Sequence, residues 1–163
     1  MDGNRFHFFS LLPVFFIFIL FRLGRVSNLN LEVKEQRTLP ILFAIGAACI
    51  GLGIFYIIGS PRQIIWAGIA YIANGIIFGA ITQVWKISFH TGVFTGCVTV
   101  LVLILPDANF AWLFLMVPLI AWARVRRKRH TLVQTAVGAL IALVNTVVLL
   151  WAGGFGVLGA AIR

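Results

Sequence analysis

Residues 39–59 read LPILFAIGAACIGLGIFYIIG, a stretch without a single charged side chain. A helix needs about 20 mostly apolar residues to cross a bilayer, and this stretch meets that length. Five more stretches come close to it, at roughly 6–22, 63–85, 89–106, 109–124 and 131–153. The sequence therefore predicts an all-α, polytopic membrane bundle of about six transmembrane helices, built as a single domain over residues 1–163. The shortness of 109–124 leaves open a second arrangement, with five spans and a re-entrant piece.

The composition also indicates a membrane protein. The chain has 163 residues, of which 61% are hydrophobic and 10% charged, and its mean hydropathy is +1.06. A soluble domain is nearer half apolar and a quarter charged. The apolar run from Phe6 to Phe21 is longer than the core of a secretion signal and lacks a small-residue cleavage site, so we interpret it as a retained first span. Cys49 and Cys97 lie inside apolar runs and are expected to be small buried hydrophobic residues.

Some residues within the predicted spans indicate how the helices pack. Three pairs of small residues have the four-residue spacing that lets membrane helices approach closely. They are Ala47 with Gly51, Cys49 with Gly53, and Gly75 with Gly79. Asn74 and Asn145 lie in the middle of their spans, where hydrogen bonds between helices are the expected role.

Basic residues outnumber acidic ones by 13 to 4, and they gather on one side of the predicted membrane. With six spans, the ends of the first, third and fifth helices share a face with the starts of the second, fourth and sixth. That face carries Arg22, Arg25, Lys34, Arg37, Lys86, Arg124, Arg126, Arg127, Lys128 and Arg129, against Arg5, Arg62 and Arg163 on the other. The positive-inside rule places the richer face in the cytoplasm and both termini outside. Because these charges stand between spans that lie in lipid, nucleic acid is not an expected partner.

Two of the three histidines stand on the same basic face, and the third, His7, is predicted on the opposite face. His90 lies four residues after Lys86, so on a helix the two side chains would face the same way. In a second pattern, Arg124 is followed after five residues by His130 and after three more by Gln134. Ionisable side chains at this depth in a membrane protein are candidates for function.

These patterns resemble those of the phosphatidic acid phosphatase type 2 superfamily, the lipid phosphatases related to vanadium haloperoxidases. That superfamily has a Pro-Ser-Gly-His motif at the start of its fourth core helix, and Ser88 and His90 match the Ser and the His. Its Ser-Arg-x5-His-x3-Asp motif lies between the fifth and sixth helices, and Arg124 and His130 match the Arg and the His at the same spacing. The stretch 24–40 is similar to the first loop of a small prokaryotic branch, so the resemblance covers nearly the whole chain.

The chain departs from the superfamily pattern at four motif positions. These are Ile87 for Pro, Phe89 for Gly, Ala123 for Ser and Gln134 for Asp. The amide oxygen of Gln134 is expected to orient His130 in place of the carboxylate. The superfamily's opening Lys-x6-Arg-Pro motif is absent in that form, so Lys86, or Lys34 with Arg37, is expected to supply its phosphate-binding charges.

The resemblance implies hydrolysis of a lipid phosphate in two steps, with neither a cofactor nor a metal. His130 would attack phosphorus and form a phosphohistidine, and His90 would protonate the leaving alkoxide as general acid. Arg124, Lys86 and Ser88 would bind the phosphoryl oxygens, for which a guanidinium fork has a suitable geometry.

The implied partner is a membrane lipid such as phosphatidate, phosphatidylglycerol phosphate or a polyprenyl phosphate or diphosphate. Its tail would stay in lipid while its phosphate lies at headgroup depth. Two alternatives stay open: a catalytically degenerate relative that binds a phospholipid, and a small non-enzymatic membrane protein. In the second, Arg126 to Arg129 would only anchor the topology and contact anionic lipid. Anchoring the topology is also the role expected of these four residues in the other interpretations. The sequence also leaves open a homo-oligomer.

Overall fold

The structure is a computed structural model that describes residue 22 and residues 38–105 and 109–155, which are helical and contain no strand. The helices are α1 (Thr38–Ile57), α2 (Arg62–Val84), α3 (Phe89–Ile104), a 3-10 helix (Phe110–Leu115), α4 (Met116–Arg126) and α5 (Leu132–Ala152). The predicted first span lies outside the described residues apart from Arg22, and so do Lys34, Arg37 and both termini.

The helices confirm an all-α chain of membrane type. α1, α2 and α5 are each long and apolar enough to cross a membrane, and α3 is a shorter apolar helix of 16 residues. In the predicted segment 109–124 the chain forms the 3-10 helix first and then the 11 residues of α4. A helix satisfies its own backbone hydrogen bonds, which is why apolar segments of this length are stable in lipid as helices.

Three helices end in the same kind of turn, with the residue after the cap in the left-handed region. Gly59 (φ +70) and Gly154 (φ +84) occupy this position after α1 and α5, as glycine usually does. After α4 the position is taken by Lys128, with φ +54. In each turn the following N–H bonds back to a carbonyl five residues earlier, as in Arg129 N–H to Arg124 O at 3.1 Å. After α1 and after α4, the chain therefore enters the next helix within a few residues.

Small residues of α2 allow close packing against α1. A Cβ atom placed on Gly75 would lie 3.3 Å from Cγ1 of Ile45, and one on Gly79 would lie 3.0 Å from Cγ2 of Ile41. The predicted packing role of this pair is confirmed. Gly51 has nothing within 4 Å of its Cβ position among the described residues, so in this part of the chain it makes no close helix contact.

The expectation that both cysteines are buried is wrong for the described residues. Cys49 of α1 and Cys97 of α3 are both exposed. Cys97 lines the cavity described below, whereas Cys49 does not.

A close crossing joins α3 to α5. A Cβ atom on Gly138 would lie 2.8 Å from the carbonyl oxygen of Ser88, and one on Gly92 would lie 3.2 Å from the carbonyl oxygen of Gly138. Thr91 is fully buried at this crossing, and its hydroxyl donates to the Ser88 and Thr135 carbonyls, both at 3.1 Å. Glycines and hydroxyl groups thus hold the first turns of α3 and α5 together.

A polar network confirms the predicted hydrogen bonding between α2 and α5. Asn74 Nδ2 donates to Oγ1 of Thr146 at 2.9 Å, and Asn145 Nδ2 donates to Oδ1 of Asn74 at 3.0 Å. At the end of this interface, the Trp66 ring lies against Gly153, which has no room for a Cβ atom. α2 and α5 therefore run antiparallel, with the start of α2 beside the end of α5.

One end of the bundle collects the starts of α1, α3 and α5 and the ends of α2 and α4. Thr38 at the start of α1 donates through its hydroxyl to Oε1 of Gln83 near the end of α2, at 3.3 Å. Among the cations of residues 38–105 and 109–155, six lie at this end and one, Arg62, at the other. The six are Lys86, Arg124, Arg126, Arg127, Lys128 and Arg129. The sequence placed these residues on one face, and the helix directions agree.

Candidate functional site

A cavity of about 1350 Å³ begins at the basic end and runs between α1, α2 and α3. Six cationic or imidazole side chains line that end of it: Lys86, His90, Arg124, Arg127, Arg129 and His130. The rest of the lining is mainly apolar, as with Ile45, Leu52 and Val93. The arrangement can bind an anionic group at one end and an apolar chain along its length.

The turn after α4 brings Arg124 and His130 together. The backbone N–H of Arg129 donates to the Arg124 carbonyl at 3.1 Å, while Lys128 takes the left-handed conformation between them. His130 follows at once, and Thr131 then caps α5. The spacing of five residues between Arg124 and His130 is the length of one chain reversal, and both side chains line the cavity.

His90 reaches the cavity from the first turn of α3. The charged residue with which His90 interacts electrostatically is Arg124. The expectation that Lys86 and His90 share a helix face is wrong, because α3 begins only at Phe89 and the chain before it is not helical. Both side chains line the cavity nonetheless. The α3–α5 crossing sets how far His90 stands from His130.

Ser88 is buried directly beside this cluster. Ser88 is 0% exposed. Its backbone N–H donates to the Gln134 carbonyl at 3.3 Å, and its side chain makes no capping hydrogen bond to α3. Its hydroxyl oxygen has no hydrogen-bond partner among the described residues, and neither does Nε of Arg124. A buried polar atom without a partner is rare in folded proteins. Ser88 does not itself line the described cavity.

Gln134 serves the start of α5. Its side-chain oxygen accepts from the Thr131 backbone N–H at 3.1 Å, and its own backbone N–H donates to the Thr131 hydroxyl at 3.2 Å. This reciprocal pair is a capping box, which the Thr-x-x-Gln spacing in the sequence already signals. The Gln134 side-chain oxygen, which was expected to orient His130, thus accepts a hydrogen bond from the backbone N–H of Thr131 instead.

Two basic residues in the cavity were expected to be topology anchors only. Arg127 and Arg129 line the cavity, and Arg127 interacts electrostatically with Arg124. Arg126 and Lys128, which alternate with them, do not line it. Arg126, Arg127 and Lys128 are all exposed, and Arg129 is half-buried. All four acidic residues of the chain lie outside the described residues, and within them no three His, Cys, Asp or Glu side chains gather as metal ligands.

Comparisons of the chain with protein-family models, with curated proteins and with solved structures each find no match. The resemblance to lipid phosphatases therefore depends on the residues of this chain alone.

Proposed function

We propose that this chain is an integral membrane phosphatase, similar to the phosphatidic acid phosphatase type 2 superfamily, that hydrolyses the phosphate ester of a long-chain lipid. One observation carries the proposal. His90, Arg124 and His130, which match the superfamily motifs in the sequence, line one end of a single cavity whose remaining walls are apolar. His90 is far from Arg124 and His130 in the sequence, so only the packing of the helices brings the three side chains to the same cavity.

The proposed reaction has two steps. A ring nitrogen of His130 attacks phosphorus, the bond from phosphorus to the ester oxygen breaks, and His90 gives its proton to the leaving alkoxide. Water then attacks the phosphohistidine while His90 takes a proton from it, which releases inorganic phosphate and restores His130. Arg124 and Lys86 bind the phosphoryl oxygens and stabilise the negative charge that develops there.

The substrate class follows from the two parts of the cavity. The basic end fits a phosphate, and the apolar walls from α1 to α3 fit an acyl or prenyl chain that need not leave the membrane. In this proposal the chain crosses the membrane six times, with the basic end in the cytoplasm and both termini outside. Access to the phosphate is then from the cytoplasmic headgroup layer.

A second candidate is a catalytically inactive relative that binds an anionic phospholipid. The capping bond of Gln134 favours it, because no carboxylate stands at that position to stabilise a charged imidazole on His130. In serine proteases, replacing by Asn the Asp that orients the catalytic histidine lowers kcat by about 10⁴. The cavity would then bind the same lipid without cleaving it.

Phosphate release from purified protein in detergent distinguishes the two. The wild type is compared with His130→Ala on phosphatidate, phosphatidylglycerol phosphate and a prenyl phosphate, without added metal. The matched control is His7→Ala, the histidine predicted on the opposite face. Release by the wild type and the control, but not by His130→Ala, supports the phosphatase. If the wild type releases no more phosphate than His130→Ala yet binds these lipids, the inactive relative is the correct candidate.

A further inference from the structure

The apolar part of the cavity contains one amide side chain, which the proposed hydrolysis does not use. Asn74 of α2 lines the cavity beside Thr146 of α5 and Gly96 of α3. The walls around these residues are apolar or small, as with Ala70 and Val100. A hydrogen-bonding group therefore faces the region that would hold the hydrocarbon part of a lipid.

One N–H of the Asn74 amide is left for a ligand. The Nδ2 atom has two N–H groups, and it donates one to Oγ1 of Thr146 at 2.9 Å. The Oδ1 atom accepts from Nδ2 of Asn145 at 3.0 Å. The second N–H of Asn74 has no acceptor among the described residues. Because hydrocarbon contains no water to accept it, an unpaired donor at this depth is costly.

Gly96 leaves this donor open to the cavity. A Cβ atom on Gly96 would lie 3.4 Å from Nδ2 of Asn74 and 3.5 Å from Oγ1 of Thr146. A side chain at position 96 would therefore cover the amide. Its absence gives a ligand in the cavity direct access to the nitrogen.

The position of the amide along the cavity indicates what it would bind. Gly96 comes six residues after His90 on α3, which corresponds to about 9 Å along a helix. In a glycerophospholipid the ester carbonyls lie a few bonds beyond phosphorus, and the tails beyond them have no acceptor. A carbonyl oxygen is therefore the acceptor that such a lipid would bring to this depth.

We infer that the Asn74 amide is a second binding site in the cavity, which donates a hydrogen bond to an ester carbonyl of the ligand. The carbonyl accepts the second N–H of Nδ2, while Thr146 and Asn145 of α5 hold the amide in place. The inference depends on the proposed function for the position of the phosphate at the basic end. The site distinguishes lipids by how their tails are linked, and the headgroup has no part in that distinction.

The test uses two lipids that differ only in this linkage. Diacylglycerol 3-phosphate is compared with dialkylglycerol 3-phosphate, an ether analogue with the same headgroup and tail length but no carbonyl. We expect kcat/KM for phosphate release to be about three- to tenfold higher for the ester, as the net contribution of one hydrogen bond implies. Equal values for the two lipids in the wild type overturn the inference.

Two variants of the amide pair locate the preference. Asn74→Leu removes the donor and should bring the ratio of ester to ether to about 1.5 or less, below what one hydrogen bond contributes. Asn145→Leu is the matched control, because Asn145 belongs to the same network but does not line this cavity, and it should retain the ratio. An equal loss in both variants would assign the effect to the packing of α2 on α5 and overturn the inference.

Gly96→Ala tests the same site without changing the amide, and it decides the outcome if Asn74→Leu does not fold. The added methyl group would be at ordinary contact distance from Nδ2, so the variant should fold while the ratio falls. Gly51→Ala adds a methyl group to the same cavity where nothing lies within 4 Å of the Cβ position among the described residues, and it should retain the ratio. An unchanged ratio in Gly96→Ala would contradict access from α3.

Equilibrium binding of the two lipids to His130→Ala separates this inference from the proposed function. If the wild type releases no phosphate but His130→Ala binds the ester at least about threefold more tightly than the ether, the amide site is correct and the phosphatase is not. If phosphate is released and the two lipids bind and react alike, the phosphatase stands and the amide site is wrong.

Discussion

Gly138 of α5 lies so close to Ser88 that a Cβ atom on the glycine would stand 2.8 Å from the serine carbonyl oxygen. Real Cβ atoms do not approach a backbone oxygen to that distance. The carbonyl belongs to the residue that caps α3, two positions before His90, so this contact sets the position of His90 relative to α5 and His130. The lack of a side chain at Gly138 of α5 therefore determines where α3 places His90 in the cavity.

Gly138→Ala should separate the starts of α3 and α5. Overpacking of this kind typically costs about 1–3 kcal/mol, and the shift moves His90 relative to His130. We expect a lower thermal unfolding temperature in detergent and a larger loss of lipid phosphate turnover. Gly53→Ala is the control, because nothing in the described part of the chain lies within 4 Å of its Cβ position. Equal stability of Gly138→Ala and the control would contradict the close crossing.

Ser88→Ala should lower turnover without lowering stability. The hydroxyl is buried, caps no helix and has no hydrogen-bond partner among the described residues, so its removal should leave the free energy of unfolding unchanged or raise it. If the hydroxyl contacts a bound phosphoryl group, turnover should fall about tenfold. A clear loss of stability with normal turnover would instead reveal a structural partner for this oxygen.

Gln134→Ala and Thr131→Ala should destabilise the protein to a similar degree and not additively, because both remove the same capping box. Loss of an N-cap costs about 0.5–2 kcal/mol. Unfolding of the two single variants and the double variant measures the coupling. Gln134→Glu retains the box and should restore stability.

The same variants test whether Gln134 acts on His130. If its only role is at the start of α5, Gln134→Glu should leave turnover within about twofold of the wild type, as the retained capping bond implies. A large change in turnover at unchanged stability would show that the side chain orients His130 after all.

Asn74→Ala should remove both hydrogen bonds between α2 and α5, to Thr146 and from Asn145. Such bonds in membrane proteins average about 0.6 kcal/mol each and reach about 1.7. A double-mutant cycle with Asn145→Ala should therefore give a coupling in this range. Coupling indistinguishable from zero would mean that the two amides do not interact in the membrane.

Cysteine labelling tests the orientation. In a chain with Cys49→Ala and Cys97→Ala, a single cysteine is introduced by Ser60→Cys or by Lys128→Cys, at opposite ends of the bundle. Because the basic end is predicted to be cytoplasmic, a membrane-impermeant maleimide should label Ser60→Cys in intact cells and Lys128→Cys only after permeabilisation. The reverse pattern would place the cavity opening outside.

The sequence was sufficient for the helical class and for the collection of basic residues at one end. Long uncharged segments such as 39–59 can satisfy their backbone groups in lipid only as helices, and the polar breaks between segments determine which loops share a face. The same reasoning predicted the packing of Gly75 with Gly79 and the hydrogen bonds of Asn74, because small and amide side chains within a span have few other roles.

Only the tertiary structure decided which residues of the basic end reach the cavity. The left-handed turn at Lys128 separates Arg127 and Arg129 from Arg126, and nothing in a run of like charges along the chain encodes that division. Gln134 was assigned to His130 by analogy with a motif, yet a local capping bond to Thr131 takes its oxygen, since a neighbour three residues away is reached without any tertiary rearrangement. That His90 and His130 line the same cavity depends on the glycine at 138, because helices approach only as closely as the side chains between them allow.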